Sequence, residues 1–180
     1  QFLQKLFSKW HDTTLDITPF RDRPGKLKSF RIHEGDTSKV KLFLEELPHD
    51  GGTDLSDIRF DRTLGQHTYD LHLLVSDGIG TIGKVPTTPE IPVFTVTASG
   101  VADHTLLRHL SEASGGLHAN LATSTSSSAL KQFGHEPFSL LSVEYNSDEI
   151  TDLYPNTRQP ITGRVHITGK LIADESTVVL

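Results

Sequence analysis

The sequence predicts an α/β fold, with a doubly wound, mostly parallel sheet and a C-terminal β extension. Near-continuous apolar runs at Leu71–Val75 and Ile91–Val96 are typical of parallel strands that are covered on both faces. Stretches with helical spacing alternate with such runs as far as residue 134, which is the rhythm of a doubly wound sheet. From Phe138 onward, apolar and polar residues alternate without helical spacing, which predicts the β extension.

The first elements are a helix and a hairpin. Five apolar residues fall on one face of the opening helix: Phe2, Leu3, Leu6, Phe7 and Trp10. Alternation at Leu15 and Ile17, and again from Leu27 to Ile32, predicts two strands that are joined by a turn at Arg23-Pro24-Gly25.

Two further helices carry clear end signals. Asp36-Thr37-Ser38 precedes apolar residues at helical spacing, and Pro48 follows the last of them. Asp103 precedes a longer helix that Gly115-Gly116 closes.

The end of the α/β pattern sets the division of the chain. A short strand at Leu117–Leu121 and a last helix at Ser128–Phe133 complete the pattern. We therefore divide the chain into an α/β domain at 1–135 and a C-terminal β segment at 136–180, which we interpret as the start of a further β module.

Composition narrows the possible functions. The chain has 180 residues, a formal net charge of −6 and no cysteine, which excludes disulfides, thiolate nucleophiles and Cys-ligated metals. The negative charge argues against nucleic acid as a partner. One basic patch, from Arg21 to Arg31, is compatible with phosphate binding, but the turn within it favours a solvated hairpin.

The chain contains no apolar run that approaches the roughly 20 residues needed to cross a bilayer. It also lacks methionine, so we treat its ends as arbitrary. Localisation stays open between the cytoplasm and, if a leader was removed, the periplasm or cell surface.

The main functional prediction is a divalent-cation site for which this sequence supplies part of the ligands. Mg²⁺ prefers hydroxyl and carboxylate oxygens, and ligands in α/β folds collect at the carboxyl ends of strands. Thr53 and Asp77 are the predicted metal ligands, and Asp54 binds directly or through water. The supporting loop residues are Gly51, Gly52, Ser76 and Gly78.

A purely structural interpretation competes with the metal site. Gly51-Gly52 is then a turn, Thr53 or Asp54 caps a short helix that begins at Leu55, and Asp77-Gly78 is a turn that ends a strand. Residue types alone favour this alternative.

The order of motifs resembles von Willebrand factor A domains, in the bacterial proteins where this domain follows a vault/inter-α-trypsin domain. The segments that carry the resemblance are Leu47-Pro-His-Asp-Gly-Gly-Thr-Asp-Leu55, Val75-Ser-Asp-Gly-Ile-Gly-Thr-Ile-Gly83, Ala102-Asp-His-Thr-Leu-Leu-Arg108 and Asp152-Leu-Tyr-Pro155. The resemblance covers about residues 1–134. It implies noncatalytic binding of a protein with an acidic ligand residue, through Mg²⁺, Mn²⁺ or Ca²⁺.

One motif of that family is absent from this sequence. The family's metal site begins with Asp-x-Ser-x-Ser, at the end of a central strand just before the first helix, and the chain opens on that helix. We therefore expect cation binding to require that motif. Without the central strand, two sheet edges lack a partner, and self-association through them is expected if no longer chain supplies the strand.

Two other functions stay open. In a metal-dependent hydrolase, Asp77 and Asp54 would hold the ion and His49 would act as base. A structural domain with a degenerate metal site is the third possibility. The Gly-x-Ser-x-Gly elbow of the α/β hydrolases is absent, and the ten histidines show no HExxH pair, so we interpret them as core or surface residues.

Overall fold

The structure is a computed structural model that describes residues 1–48, 54–80, 89, 91–133, 138–156, 159–161 and 164–180. Helices and strands are mixed along these residues, which confirms the coarse prediction of an α/β protein. The helices within them are α1 (Phe2–Trp10), α2 (Ser38–Glu45), α3 (His104–Ser114) and α4 (Ser126–Phe133). The strands are β1 (Thr13–Ile17), β2 (Lys28–Ile32), β3 (Thr63–Leu64), β4 (His67–Thr68), β5 (His72–Val75), β6 (Val93–Thr97), β7 (His118–Asn120), β8 (Phe138–Leu140), β9 (Glu144–Tyr145), β10 (Ile150–Tyr154), β11 (Gln159–Ile161), β12 (Thr168–Leu171) and β13 (Val178–Val179).

A parallel sheet forms the centre of the N-terminal part. Its strand order is β5-β6-β7, and β6 pairs with both neighbours in parallel. All five residues of β6 are buried, as the continuous apolar run predicts for a central strand.

Helices cover both faces of this sheet. On one face, Leu107 and Leu110 of α3 pack with Val93, Leu74 and Phe60. On the other face, residues of α1 and α4 pack against β6 in a second core, whose buried members are Phe2, Leu6, Phe94, Val96, Ala119, Ala129, Leu130 and Phe133. Alternate residues of β6 thus serve opposite cores, as the pleat of a strand requires.

The ends of α3 follow the sequence prediction closely. The Asp103 carboxylate accepts a hydrogen bond from the Leu106 backbone N–H at 2.9 Å, which caps the first turn. Gly115 ends the helix in the left-handed conformation with φ of 81°. Gly116 then passes the start of β6 so closely that a Cβ at this position would lie 2.0 Å from the Val93 carbonyl oxygen.

The predicted hairpin is also confirmed, but it forms a sheet of its own. β1 and β2 pair antiparallel, with Leu15 opposite Phe30. Within the described ranges, no backbone hydrogen bond joins this hairpin to the parallel sheet. Helix α1 connects the two, because its Leu3 and Trp10 pack against the core under the hairpin and against the core that α1 shares with α4.

The region between α2 and β5 differs from one expectation. The segment Leu55–Ile58 forms a single turn rather than a short helix, closed by the hydrogen bond from the Ile58 N–H to the Leu55 carbonyl oxygen. Residues 63–68 form a small hairpin in which Thr63 pairs with Thr68.

The C-terminal segment consists of β strands, as predicted. They form the antiparallel pairs β8-β11, β9-β13 and β10-β12, and β11 lies beside α3. The boundary near residue 135 and the doubly wound arrangement of one large sheet stay predictions.

Candidate functional site

Asp77 lies in a tight turn at the carboxyl end of β5. Its Oδ1 accepts a hydrogen bond from the Ile79 N–H at 3.0 Å, and Ser76 Oγ accepts one from the Gly78 N–H at 3.0 Å. The Asp77 carbonyl oxygen accepts a third bond from the Asp103 N–H at 2.8 Å. The turn is therefore attached to the first residues of α3, and Asp77 lies at the sheet edge where the sequence predicts it.

Gly78 makes this attachment possible. It has φ of 73°, a backbone conformation that other residues rarely adopt. A Cβ at this position would lie 2.8 Å from Cγ of Leu107 and 3.1 Å from the Asp103 carbonyl oxygen. The turn thus packs directly on α3, and a side chain here would push the two apart.

Asp54 has a structural role in its own loop. Its Oδ1 accepts hydrogen bonds from the Ser56 N–H at 2.9 Å and from the Ser56 hydroxyl at 2.6 Å. The hydroxyl bond is the main cause that lowers the pKa of Asp54 below its ordinary value. The Asp54 N–H donates to the Arg21 carbonyl oxygen at 2.7 Å, which joins the loop to the hairpin.

The remaining predicted residues of this loop, Gly51, Gly52 and Thr53, lie outside the described residues. The relation between Thr53 and Asp77 therefore stays a prediction. Among the residues that are described, no three His, Asp or Glu side chains come together in a group that could hold a metal ion.

A second polar site, which the sequence did not reveal, joins β6, β7 and the start of α3. The buried Thr95 hydroxyl lies 2.8 Å from Nδ1 of His118, and Nε2 of His118 lies 3.1 Å from Nδ1 of His104. Nε2 of His104 is in turn 3.3 Å from the side-chain nitrogen of Asn120. Four side chains thus form one continuous row of hydrogen bonds.

The direction of every bond in this row follows from its two ends. The Thr95 hydroxyl donates to the Leu107 carbonyl oxygen at 3.0 Å, so His118 must donate to Thr95 from Nδ1. His118 then accepts from His104 at Nε2, and His104 accepts from the Asn120 amide. The Ala122 N–H binds Oδ1 of Asn120 at 2.9 Å, which fixes that amide in the donating orientation.

In this arrangement each of the two rings donates through Nδ1 and accepts through Nε2. Burial is the main cause that lowers the pKa of His118, and the neighbouring Arg108 guanidinium lowers it further. The ring centroids of His104 and His118 lie 5.4 Å apart, close to the largest separation that their 3.1 Å nitrogen contact permits. The two nitrogens therefore point at each other, and this geometry suits a shared proton rather than one metal ion bound by both rings.

A third polar group surrounds Asp16 of β1. The side chain of Asp16 is only 4% exposed, and its Oδ2 accepts a hydrogen bond from the Tyr69 hydroxyl at 2.9 Å. Nδ1 of His67 lies 2.9 Å from the same oxygen. Burial, followed by the bond to Asp16, raises the pKa of Tyr69 to about 12. Oδ1 of Asp16 is buried without a hydrogen-bond partner in the described part of the chain.

Comparison with known proteins does not assign this chain to a family. Neither the models of known protein families nor the curated proteins give a match to this chain. No helix in the described ranges is long and apolar enough to cross a membrane.

Proposed function

We infer that this chain is a noncatalytic protein-interaction module that resembles a von Willebrand factor A domain. In this proposal a divalent cation beside Asp77 accepts an acidic residue of the partner protein. The observation that carries the proposal is the position of Asp77, at the carboxyl end of β5 in a parallel sheet with helices on both faces. Ligand sites of α/β sheets form at such edges.

A doubly wound architecture would need one more strand between the two sheets. In the family that the sequence resembles, a central strand precedes the first helix and carries the Asp-x-Ser-x-Ser motif. Among the described residues, β1 and β5 each pair with a strand on one side only, and α1 packs against the core of each sheet. A strand that paired with both β1 and β5 would join the hairpin and the parallel sheet into one larger sheet.

One of the two carboxylate oxygens of Asp77 is available to a hard cation. Oδ1 is used by the turn, but Oδ2 has no hydrogen-bond partner among the described residues and is free to coordinate. Mg²⁺ takes oxygen ligands and keeps several waters, so one carboxylate oxygen and the Thr53 hydroxyl would be part of its shell. The Ser56 bonds engage one oxygen of Asp54, which favours contact through water over direct coordination.

Calorimetric titration with Mg²⁺ and Mn²⁺ tests this proposal. We expect binding by a form of the chain that includes the upstream strand of the family, and loss of that binding in Asp77→Asn. Asp148→Asn is the matched control, because Asp148 is an exposed turn residue remote in sequence from the site. Equal binding by Asp77→Asn and the parent form would contradict the proposal.

The noncatalytic part of the proposal has its own test. A panel of phosphomonoesters and carboxylic esters, assayed with Mg²⁺ or Mn²⁺, is expected to show no turnover. Turnover that survives repurification and disappears in Asp77→Asn would instead assign the chain to the metal-dependent hydrolases.

A further inference from the structure

The row of hydrogen bonds through His104 and His118 reaches the carboxyl edge of the parallel sheet. His118 begins β7 and Asn120 ends it, while His104 is the first residue of α3. Because β5, β6 and β7 are parallel, Asn120 lies at the same edge of the sheet as Asp77, which follows β5. Ligand sites of α/β sheets form at this edge. A change in the row would therefore alter the surface that a ligand meets.

Every hydrogen-bonding nitrogen in this row already has a partner. Nδ1 of His118 donates to Thr95, and Nδ1 of His104 donates to His118. Nε2 of His104 accepts from the Asn120 amide. An added proton must therefore go to Nε2 of one of the two rings, where a hydrogen bond is already received.

Both routes for an added proton end at Asn120. A proton at Nε2 of His104 faces the Asn120 amide nitrogen directly. A proton at Nε2 of His118 faces the N–H of His104, so the contact survives only if His104 moves its own proton from Nδ1 to Nε2. The other end of the row offers no relief, because the Thr95 hydroxyl donates to the Leu107 carbonyl oxygen. Proton uptake with the rings in contact thus places two donors, His104 and the Asn120 amide, against each other.

Reversal of the Asn120 amide relieves this clash and affects the next turn. Oδ1 of Asn120 would then face His104, as a hydrogen-bond acceptor. The same oxygen now accepts from the Ala122 N–H at 2.9 Å, and that N–H would lose its acceptor. The Leu121 N–H keeps its own bond to the Thr97 carbonyl oxygen at 2.7 Å. The effect is therefore centred on Ala122, in the turn that leads from β7 to α4.

The charges near the row come from α3, its cap and the turn after β5. Arg108 lies one turn after His104 and disfavours a positive ring. Asp103 precedes His104, and its N–H binds the carbonyl oxygen of Asp77, so two carboxylates near the start of the helix favour the proton. Strands β6 and β11 lie beside α3 and contain no titratable residue, and His118 is the titratable residue of β7. One added proton is balanced by this set, whereas a second would face a charged ring as well as Arg108.

We propose that the row is a pH-sensitive switch, in which one proton taken up by the pair of His104 and His118 reverses the Asn120 amide and releases the Ala122 N–H. Histidine side chains change charge between about pH 5 and pH 8, so the switch acts in mild acid. It loosens the turn after β7 while the pairing of β7 with β6 stays intact. The switch is independent of the cation site, because it requires no ligand at Asp77.

Amide hydrogen exchange of the whole chain, followed by NMR at about pH 7.5 and pH 5, tests the switch. After correction for the intrinsic exchange rates, we expect the protection of the Ala122 amide to fall about tenfold in acid, the effect of losing one hydrogen bond. The Leu121 amide is the internal reference and is expected to keep its protection. Equal losses at Ala122 and Leu121, or no loss at Ala122, would overturn the proposal without any variant.

Two variants locate the effect in the row. His104→Gln takes up no proton, and Asn120→Asp accepts from His104 and Ala122 at once without reversing, so both are expected to keep Ala122 equally protected at the two pH values. His109→Gln is the matched control, because His109 is exposed on the same helix, and it is expected to behave as the parent chain does. Circular dichroism establishes that each variant is folded. A tenfold loss at Ala122 that persists in folded His104→Gln would assign the acid response to another group.

Discussion

Nδ1 of His104 lies 3.1 Å from Nε2 of His118, and the single proton between them orients both rings. His104 stands at the start of α3, whereas His118 begins β7. This contact therefore joins a helix end to a strand that follows it in the chain. A second proton cannot enter between the two nitrogens without breaking the contact.

The stability of the chain is expected to fall in mild acid. Burial lowers the pKa of folded His118 below its ordinary value of 6.5, so the unfolded chain binds more protons in the interval between the folded pKa and 6.5. The free energy of unfolding therefore decreases as the pH drops through about 6.5 and levels off below the folded pKa. His72, whose pKa burial also lowers, contributes in the same direction.

Urea denaturation at a series of pH values measures this effect. His118→Gln is expected to flatten the pH dependence, whereas His166→Gln, at an exposed position, is expected to leave it intact. An unchanged slope in His118→Gln would show that His118 does not carry the effect.

Gly116→Ala is expected to destabilise the fold by about 3 kcal/mol, at the upper end of the usual range for overpacking. The reason is the 2.0 Å approach of a Cβ to the Val93 carbonyl oxygen, which only a shift of α3 or β6 can relieve. Gly100→Ala is the matched control, because a Cβ there meets nothing within 4 Å, and we expect a change within about 0.5 kcal/mol. Thermal denaturation of the two variants measures the difference, and similar midpoints would contradict the packing described for α3.

Tyr69→Phe is expected to cost about 1–3 kcal/mol, because it removes a hydrogen-bond donor from the buried Asp16 carboxylate. Tyr154→Phe provides the comparison, since Tyr154 is 67% exposed. Chemical denaturation of both variants is the measurement. A loss in Tyr154→Phe as large as that in Tyr69→Phe would argue against the role of the Asp16 contact.

Self-association through the unpaired edges of β1 and β5 is expected. β1 and β5 each have one edge without a backbone partner in the described ranges, and Val75 on β5 is 57% exposed. Unpaired edges favour pairing between chains. Light scattering over a range of concentrations is expected to show dimers or larger species, and a monomer at every concentration would count against this expectation.

Local patterns were sufficient to predict α3 and β6. The Asp103 cap and the Gly115 end are short-range signals, and the apolar run of β6 follows from burial on both faces. The hairpin of β1 and β2 was predictable for the same reason, because a turn signal separates two alternating runs. These elements depend on residues that are close in sequence.

The polar sites depend on contacts that are distant in sequence. His104 and His118 are 14 residues apart and meet only because β7 pairs with β6 beneath α3. Asp16 and Tyr69 are 53 residues apart and lie on different strands or loops. Spacing along the chain gave no signal for either pair.

The position of Asp77 at a strand end was predicted and is confirmed, since it follows directly from the apolar run before it. Its hydrogen bonds equally satisfy the structural interpretation as a turn. The two interpretations differ only in what the free carboxylate oxygen binds, which a pattern of residue types does not specify.

Because Leu3 and Trp10 of α1 belong to two cores at once, the hairpin and the parallel sheet share part of their folding free energy. Loss of α1 would expose apolar surface on both sides together, so the two regions are coupled into a single cooperative unit despite the absence of hydrogen bonds between their described strands. Amide hydrogen exchange in β2 and in β6 should accordingly report the same opening reaction.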